Sequence, residues 1–205
     1  MELLLLRHGE AARNAEGAGR SDPPLSAQGR AQARRAAMFL ACEGVDGLFT
    51  SPLRRAVETA EIIGAEVGLV PGVDPDLAEF DRDAPEYLHF EDLRAAGDPR
   101  YEAVVVGGDL TPWGVTLGEF RDRVTGCLDR LVGRFSGRRL AVVTHGGAIN
   151  AYLGPLLGSD RFAVHSPAYT ALSRIGIEAD GRRVVLSLGQ SGHLQGLDES
   201  LFLAG

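Results

Sequence analysis

Short aliphatic runs alternate along the chain with longer stretches of helical period. Leu3–Leu6 is apolar at every position, the pattern of a strand buried on both faces. Beyond the loop Pro23-Pro24-Leu25-Ser26, Ala33, Ala36, Ala37 and Leu40 share one face of a helix over 27–42. Leu48-Phe49-Thr50 reads as a second strand. Ser51-Pro52 then offers an N-cap and a first-turn proline for a helix to about Val67, with Ala56, Ala60, Ile63 and Val67 inward. A third strand is expected near 69–73. The segment 80–115 mixes Asp, Pro and Gly with a short helical piece and reads as an inserted cap. Leu117, Phe120, Val124, Leu128 and Leu131 predict an amphipathic helix over 116–134. Leu140–Thr144 follows as a strand, Ala148–Leu157 as a helix, and strands at 171–177 and 183–188 flank the turn Asp180-Gly181. The alternation predicts an α/β fold.

Composition narrows the chemistry. Of the 205 residues 44% are hydrophobic and 24% charged, enough apolar matter for one domain with a real core. All basic residues are arginine, because the sequence contains no lysine. Schiff-base chemistry, pyridoxal-phosphate anchoring and the lysine of a Walker loop are thereby excluded. The net charge of −7 argues against a nucleic-acid partner. Leu3–Leu6 is too short for a membrane span or a signal-peptide core, so no membrane partner is expected. Cys42 and Cys127 match neither a disulfide framework nor a zinc spacing, and a reducing cytoplasmic compartment is expected.

Three strands end in residues that carry chemistry. These are Arg7-His8-Gly9, Ser51-Pro52-Leu53-Arg54-Arg55, and His145-Gly146-Gly147. In open α/β sheets ligands bind beyond the carboxyl ends of strands, at a topological switch point. If the three ends are neighbours, one pocket receives two histidines and at least two arginines. Helix N-termini after Ser51 and after Gly147 would add backbone N–H groups. Such a pocket suits a phosphoryl group. His8, where a strand breaks into a glycine turn, is the candidate nucleophile. Arg7 and Arg55 would grip the phosphate oxygens bidentately, and His145 would donate a further hydrogen bond. A metal site of His8, Glu10 and His145 is the rival, weakened by two arginines that would repel a cation. No metal and no organic cofactor is expected.

Leu6-Arg7-His8-Gly9-Glu10 with Asn14, Leu25-Ser26-Ala27-Gln28-Gly29 through Ala33, Ser51-Pro52-Leu53-Arg54-Arg55-Ala56 with Thr59-Ala60, and Thr144-His145-Gly146-Gly147 together resemble the histidine phosphatase (phosphoglycerate mutase-like) superfamily, branch 1. The resemblance spans residues 3 to 194. It implies a three-layer sandwich: a mostly parallel central sheet flanked by helices, with a small cap at about 80–115. It also implies a phosphohistidine on His8, a pocket arginine at Arg55 rather than Arg54, and an acid that protonates the leaving oxygen and then activates water. By analogy that acid is Glu79 of Leu77-Ala78-Glu79, with Asp81 as its rival. Asn14, Gly19, Arg20 and Gly146 match substrate-binding positions. The chain departs from the family at Ala11, where a threonine is usual, at Phe80-Asp81-Arg82-Asp83 and at Gly114-Val115-Thr116, and the loop typical of glycolytic mutases is missing.

The implied activity is hydrolysis of a small anionic phosphorylated metabolite. A mutase-type phosphotransferase and a catalytically silent phospho-ligand-binding protein are the alternatives. A homodimer would be unsurprising. His89 is expected on the surface, His193 in a structural role and Cys127 as inert packing, while Trp113 reads as packing in a Pro/Gly loop.

Overall fold

The computed structural model describes residues 1–13, 22–85 and 87–196. Its strands are β1 (Glu2–Arg7), β2 (Gly47–Thr50), β3 (Gly72–Val73), β4 (Arg139–Thr144), β5 (Leu172–Ile177) and β6 (Arg183–Gln190). They form one sheet in the order β3-β2-β4-β1-β5-β6. The first four in that order run parallel, whereas β5 is antiparallel to β1 and β6 to β5. The helices are α1 (Ala27–Ala41), α2 (Arg54–Val67), α3 (Phe90–Ala95), α4 (Pro99–Val105), α5 (Leu117–Arg134) and α6 (Gly146–Leu156).

Successive side chains of a strand point to opposite faces, and β1 and β4 are apolar on both. Leu4, Leu6, Ala141 and Val143 therefore pack with Ala36, Ala37 and Leu40 of α1 and Ala56, Ala60 and Ile63 of α2. Leu3, Leu5, Leu140 and Val142 face the other way, against Phe120, Val124 and Leu128 of α5 and Ile149 and Leu153 of α6. The result is a mostly parallel sheet between two helical layers. Ser26 caps α1 by accepting from Gly29 N at 2.9 Å, and Thr116 and Glu119 close a capping box on α5. Segment 80–115 carries α3 and α4, and Leu93, Val104 and Leu110 anchor it to the core. Cys127 is buried in that core, and its thiol is pushed up to about 12 by burial and the neighbouring Asp74.

Several local expectations need correction. Ser51 does not cap α2: Leu53 stands at the N-cap without a side-chain bond, and the helix begins at Arg54. Ser51 Oγ instead accepts from Leu53 N at 3.2 Å within the turn. No helix N-terminus therefore follows directly on Ser51. The second expected one begins a little early, α6 opening at Gly146 behind His145. The strand expected over 69–73 shrinks to Gly72–Val73, and Val67 is only half-buried. His89 is half-buried rather than exposed, its ring edge-on to Tyr87 at 4.8 Å. His193 stacks on Phe39 at 5.4 Å and Trp113 stands edge-on to Phe80 at 5.2 Å. No helix among the described residues is long and apolar enough to cross a membrane.

Candidate active site

Because β4 lies between β1 and β2, the three chemistry-bearing strand ends are neighbours. His8 N donates to Thr144 O at 2.9 Å and Ser51 N to Val143 O at 3.0 Å, so pairing continues just past the strands. Gly9 N donates to Thr59 Oγ1 at 3.0 Å, and Thr59 Oγ1 donates to Arg55 O at 2.7 Å. One hydroxyl thus ties the turn after β1 to the first turns of α2. Gly9 admits no side chain: a Cβ there would lie 3.2 Å from Gly29 Cα and closer to the Gly29 carbonyl.

The hydrogen-bond network assigns the tautomer of His8. A carbonyl only accepts, so His8 Nδ1–H donates to Gly9 O at 2.7 Å. Arg55 Nε donates to His8 Nε2 at 3.3 Å, so Nε2 carries the lone pair. Burial, then Arg55 and Arg7, hold the imidazole well below its usual pKa and neutral. The rings of His8 and His145 are 5.0 Å apart. His145 Nε2 meets Ser51 Oγ at 2.7 Å, and a hydroxyl that donates there leaves the hydrogen on Nδ1. His145 Nδ1 is buried with no partner among the described residues.

Arg7 and Arg55 flank the histidines. Arg7 lies 4.0 Å over the Tyr169 ring and donates to Pro167 O at 3.0 Å and to Glu91 Oε1 at 2.7 Å. Its buried Nε–H has no partner among the described residues. Thr170, beside Tyr169, is held at φ +57 by its N–H on Arg7 O at 3.0 Å. Arg55 is fully buried, 4.4 Å from the Tyr87 ring centre and 3.6 Å from Asp81 Oδ1. Arg54 is exposed and pairs with Glu58 at 2.8 Å.

Glu79 is buried. Its carboxylate accepts from Gly147 N, at the start of α6, at 2.8 Å and from Phe80 N at 3.2 Å. Burial and the neighbouring Asp81 nevertheless push it up to about 7, since two hydrogen bonds do not restore the lost hydration. Arg123 of α5 secures the loop from behind, donating to Asp76 O at 2.8 Å and Ala78 O at 2.9 Å.

Arg7, His8, Arg55, Glu79, His145 and Gly146 all line one cavity of about 360 Å³. Asn14, Gly19 and Arg20 lie outside the described residues. Asp81, the rival acid, is also buried and lies beside Arg55, 3.6 Å from its guanidinium. No three His, Cys, Asp or Glu side chains among the described residues converge closely enough to hold a metal ion. Tyr87, Glu91, Arg123 and Tyr169 escaped the sequence reading. Tyr87 and Tyr169 are legible only as aromatics on chain segments that cross the strand ends, and Glu91 and Arg123 carry no local signal.

The sequence model of the histidine phosphatase superfamily (branch 1) matches residues 3–188. The chain belongs to this family. Among curated histidine phosphatase relatives, probable phosphoglycerate mutase GpmB of Yersinia enterocolitica is 32% identical over 162 residues, covering 77% of this chain and 75% of that one. Phosphoglycerate mutase-like protein 4 of Arabidopsis thaliana is 34% identical over 157 residues, covering 73% of this chain and 68% of the other. Among solved structures, a phosphoserine phosphatase mutant from Entamoeba histolytica in complex with phosphoserine superposes with a TM-score of 0.74 at 25% identity, over 94% of this chain and 98% of that one. A mycobacterial glucosyl-3-phosphoglycerate phosphatase gives 0.72 at 25% identity, over 93% and 99%.

Proposed function

We propose that this histidine phosphatase hydrolyses small phosphomonoesters through a phosphohistidine at His8 Nε2. The observation that carries the reading is Glu79. Its carboxyl shares the cavity with the His8 lone pair and titrates at about 7, as a group must that is acid in one half-reaction and base in the next. In the first half His8 Nε2 bonds to phosphorus, the bond to the leaving oxygen breaks, and protonated Glu79 gives that oxygen its proton. In the second, water attacks phosphorus, Glu79 takes the water proton, and the P–N bond breaks to release phosphate and neutral His8. Arg7 Nε–H, the Arg55 guanidinium and His145 Nδ1–H donate to the phosphoryl oxygens and offset their charge. The Arg55 Nε contact to His8 is long, so Nε2 is readily ceded to phosphorus.

A second reading has a specific support: relatives above 30% identity are named probable phosphoglycerate mutase and phosphoglycerate mutase-like protein, and in a mutase the phosphoryl group would pass to a second alcohol. Product analysis separates the two, free phosphate marking hydrolysis and a rearranged phosphate ester marking transfer. Two free thiols, Cys42 exposed and Cys127 buried, favour a reducing cytoplasm.

The test is phosphate release from p-nitrophenyl phosphate with chelator present. Turnover persists in the wild type and falls at least about 1,000-fold in His8→Ala, with a unit of phosphate trapped on His8 of the wild type. Retained activity in His8→Ala, or activity that vanishes with chelator and returns with a divalent ion, overturns the reading.

A further inference from the structure

Resting on the hydrolase reading, we infer that the substrate's alcohol is an apolar chain or ring without a second acidic group, so that this chain takes alkyl and aryl phosphomonoesters. The leaving oxygen has to face the Glu79 carboxyl, which protonates it. The residue next to Glu79, Phe80, lines the cavity on that side, its ring edge-on to Phe90 at 5.9 Å and Phe162 at 5.8 Å. The cap continues this wall with Leu88 and with Tyr101, Val104 and Val105 of α4. An alcohol skeleton leaving phosphorus past Glu79 therefore enters an apolar compartment, where each buried methylene adds to binding.

Charge argues in the same direction. Besides Glu79, the carboxylates on the cavity wall are Glu91 and Asp81, which stand at 2.7 and 3.6 Å from the two phosphate-site arginines. A substrate carboxylate close to its phosphate would approach these groups and be repelled. Outside the arginine and histidine cluster, the cation on the wall among the described residues is Arg94, an exposed side chain of α3. Among the described residues, an acidic alcohol would have that solvated guanidinium to set against two carboxylates and an aromatic wall.

The test is kcat/KM for n-alkyl phosphates from ethyl to octyl, whose leaving-group chemistry is nearly constant, beside 3-phosphoglycerate and phosphoserine. Expected is a rise of about 3- to 4-fold per methylene until the compartment is filled, and hexyl phosphate about 100-fold ahead of both acidic substrates. Calorimetric binding of n-alkylphosphonates, which need no turnover, gives the same slope. Val105→Asp, a half-buried cap position, flattens both series. A flat series in the wild type, a slope unchanged by Val105→Asp, or a preference for 3-phosphoglycerate or phosphoserine overturns this inference while leaving hydrolysis intact. Affinity that rises with chain length while no ester is hydrolysed overturns the hydrolase reading and upholds the apolar compartment.

Discussion

Gly147 N–H donates to Glu79 Oε2 at 2.8 Å, and the same glycine leaves the space in which that carboxyl sits. A Cβ on Gly147 would lie 2.9 Å from Oε2 and nearer still to Oε1. The helix start therefore both orients the carboxyl and forbids any side chain in its place. Gly147→Ala should displace the far end of the Glu79 side chain without moving backbone. We expect a fall of about 100-fold in kcat/KM with the fold retained, since an ångström of misplacement costs about that much. Steady-state kinetics with circular dichroism check it, and wild-type rates would refute it.

The protonation of Glu79 makes both activity and stability depend on pH. Its folded value, about 7, lies above its ordinary 4.5. As the proposed proton donor of the first half-reaction it should lose effect above pH 7, so kcat/KM declines there. Neutral His8, held well below its usual range, places the acid limb below pH 6.5. A profile that rises through pH 8 contradicts this assignment.

In the same pH window the folded protein holds a proton that the unfolded chain has lost. The stability from neutral Glu79 is complete below about pH 4.5 and is lost progressively as pH rises to about 7. Glu79→Gln carries no such charge. Urea unfolding should show the variant gaining roughly 3 kcal/mol on wild type between pH 4.5 and 8. A difference that stays constant with pH would show that Glu79 ionises normally.

Arg123 acts through the loop that carries Glu79. Arg123→Ala leaves the Asp76 and Ala78 carbonyls without a charged donor, at about 1–3 kcal/mol of stability. Because the loop positions the proposed acid, kcat should fall while KM changes little, and Arg123→Lys should restore part of it. A loss of stability with kcat untouched would reduce Arg123 to a purely structural contact.

Glu91 accepts from Nη2 of Arg7, a second donor on the guanidinium proposed to hold phosphate through Nε, and both side chains are largely shielded from water. Glu91→Gln should weaken the hold on that donor and remove a nearby negative charge. Competitive inhibition by inorganic phosphate is then expected to tighten by about 10-fold, the scale of one hydrogen bond to a charged group. Unchanged or weaker inhibition would mean that Glu91 serves Arg7 as a support rather than as a competitor.

Much of this arrangement is legible along the chain, for reasons that particular residues show. Leu3–Leu6 and Leu140–Val143 are apolar on both faces, and a strand of that kind has to lie inside a sheet covered by helices on both sides. Ser51 shows how such reasoning fails. Ser-Pro is a common helix start, but the hydroxyl here has His145 Nε2 at 2.7 Å, a partner standing one residue past the neighbouring β4. Local preference yielded to a contact between residues far apart in sequence. Arg123 was illegible for a different reason, because the period of α5 reports its apolar face and says nothing of what its polar face grips.

From its order alone the chain determined the alternation of strands and helices, the glycines at tight turns, and which residue types stand at three strand ends. It also dictated that positive charge would come from arginine, having no lysine to offer. Only the packed structure decided that β4 separates β1 from β2, bringing His8, Arg55 and His145 together, and that Glu91 of the cap faces Arg7. It likewise buried Glu79 and set Asp81 beside it, which pushes that carboxyl up. Backbone preference and hydrophobic period act over a few residues and can be read locally. Burial and charge-to-charge distance belong to groups tens of residues apart, and have no value until the chain has closed around them.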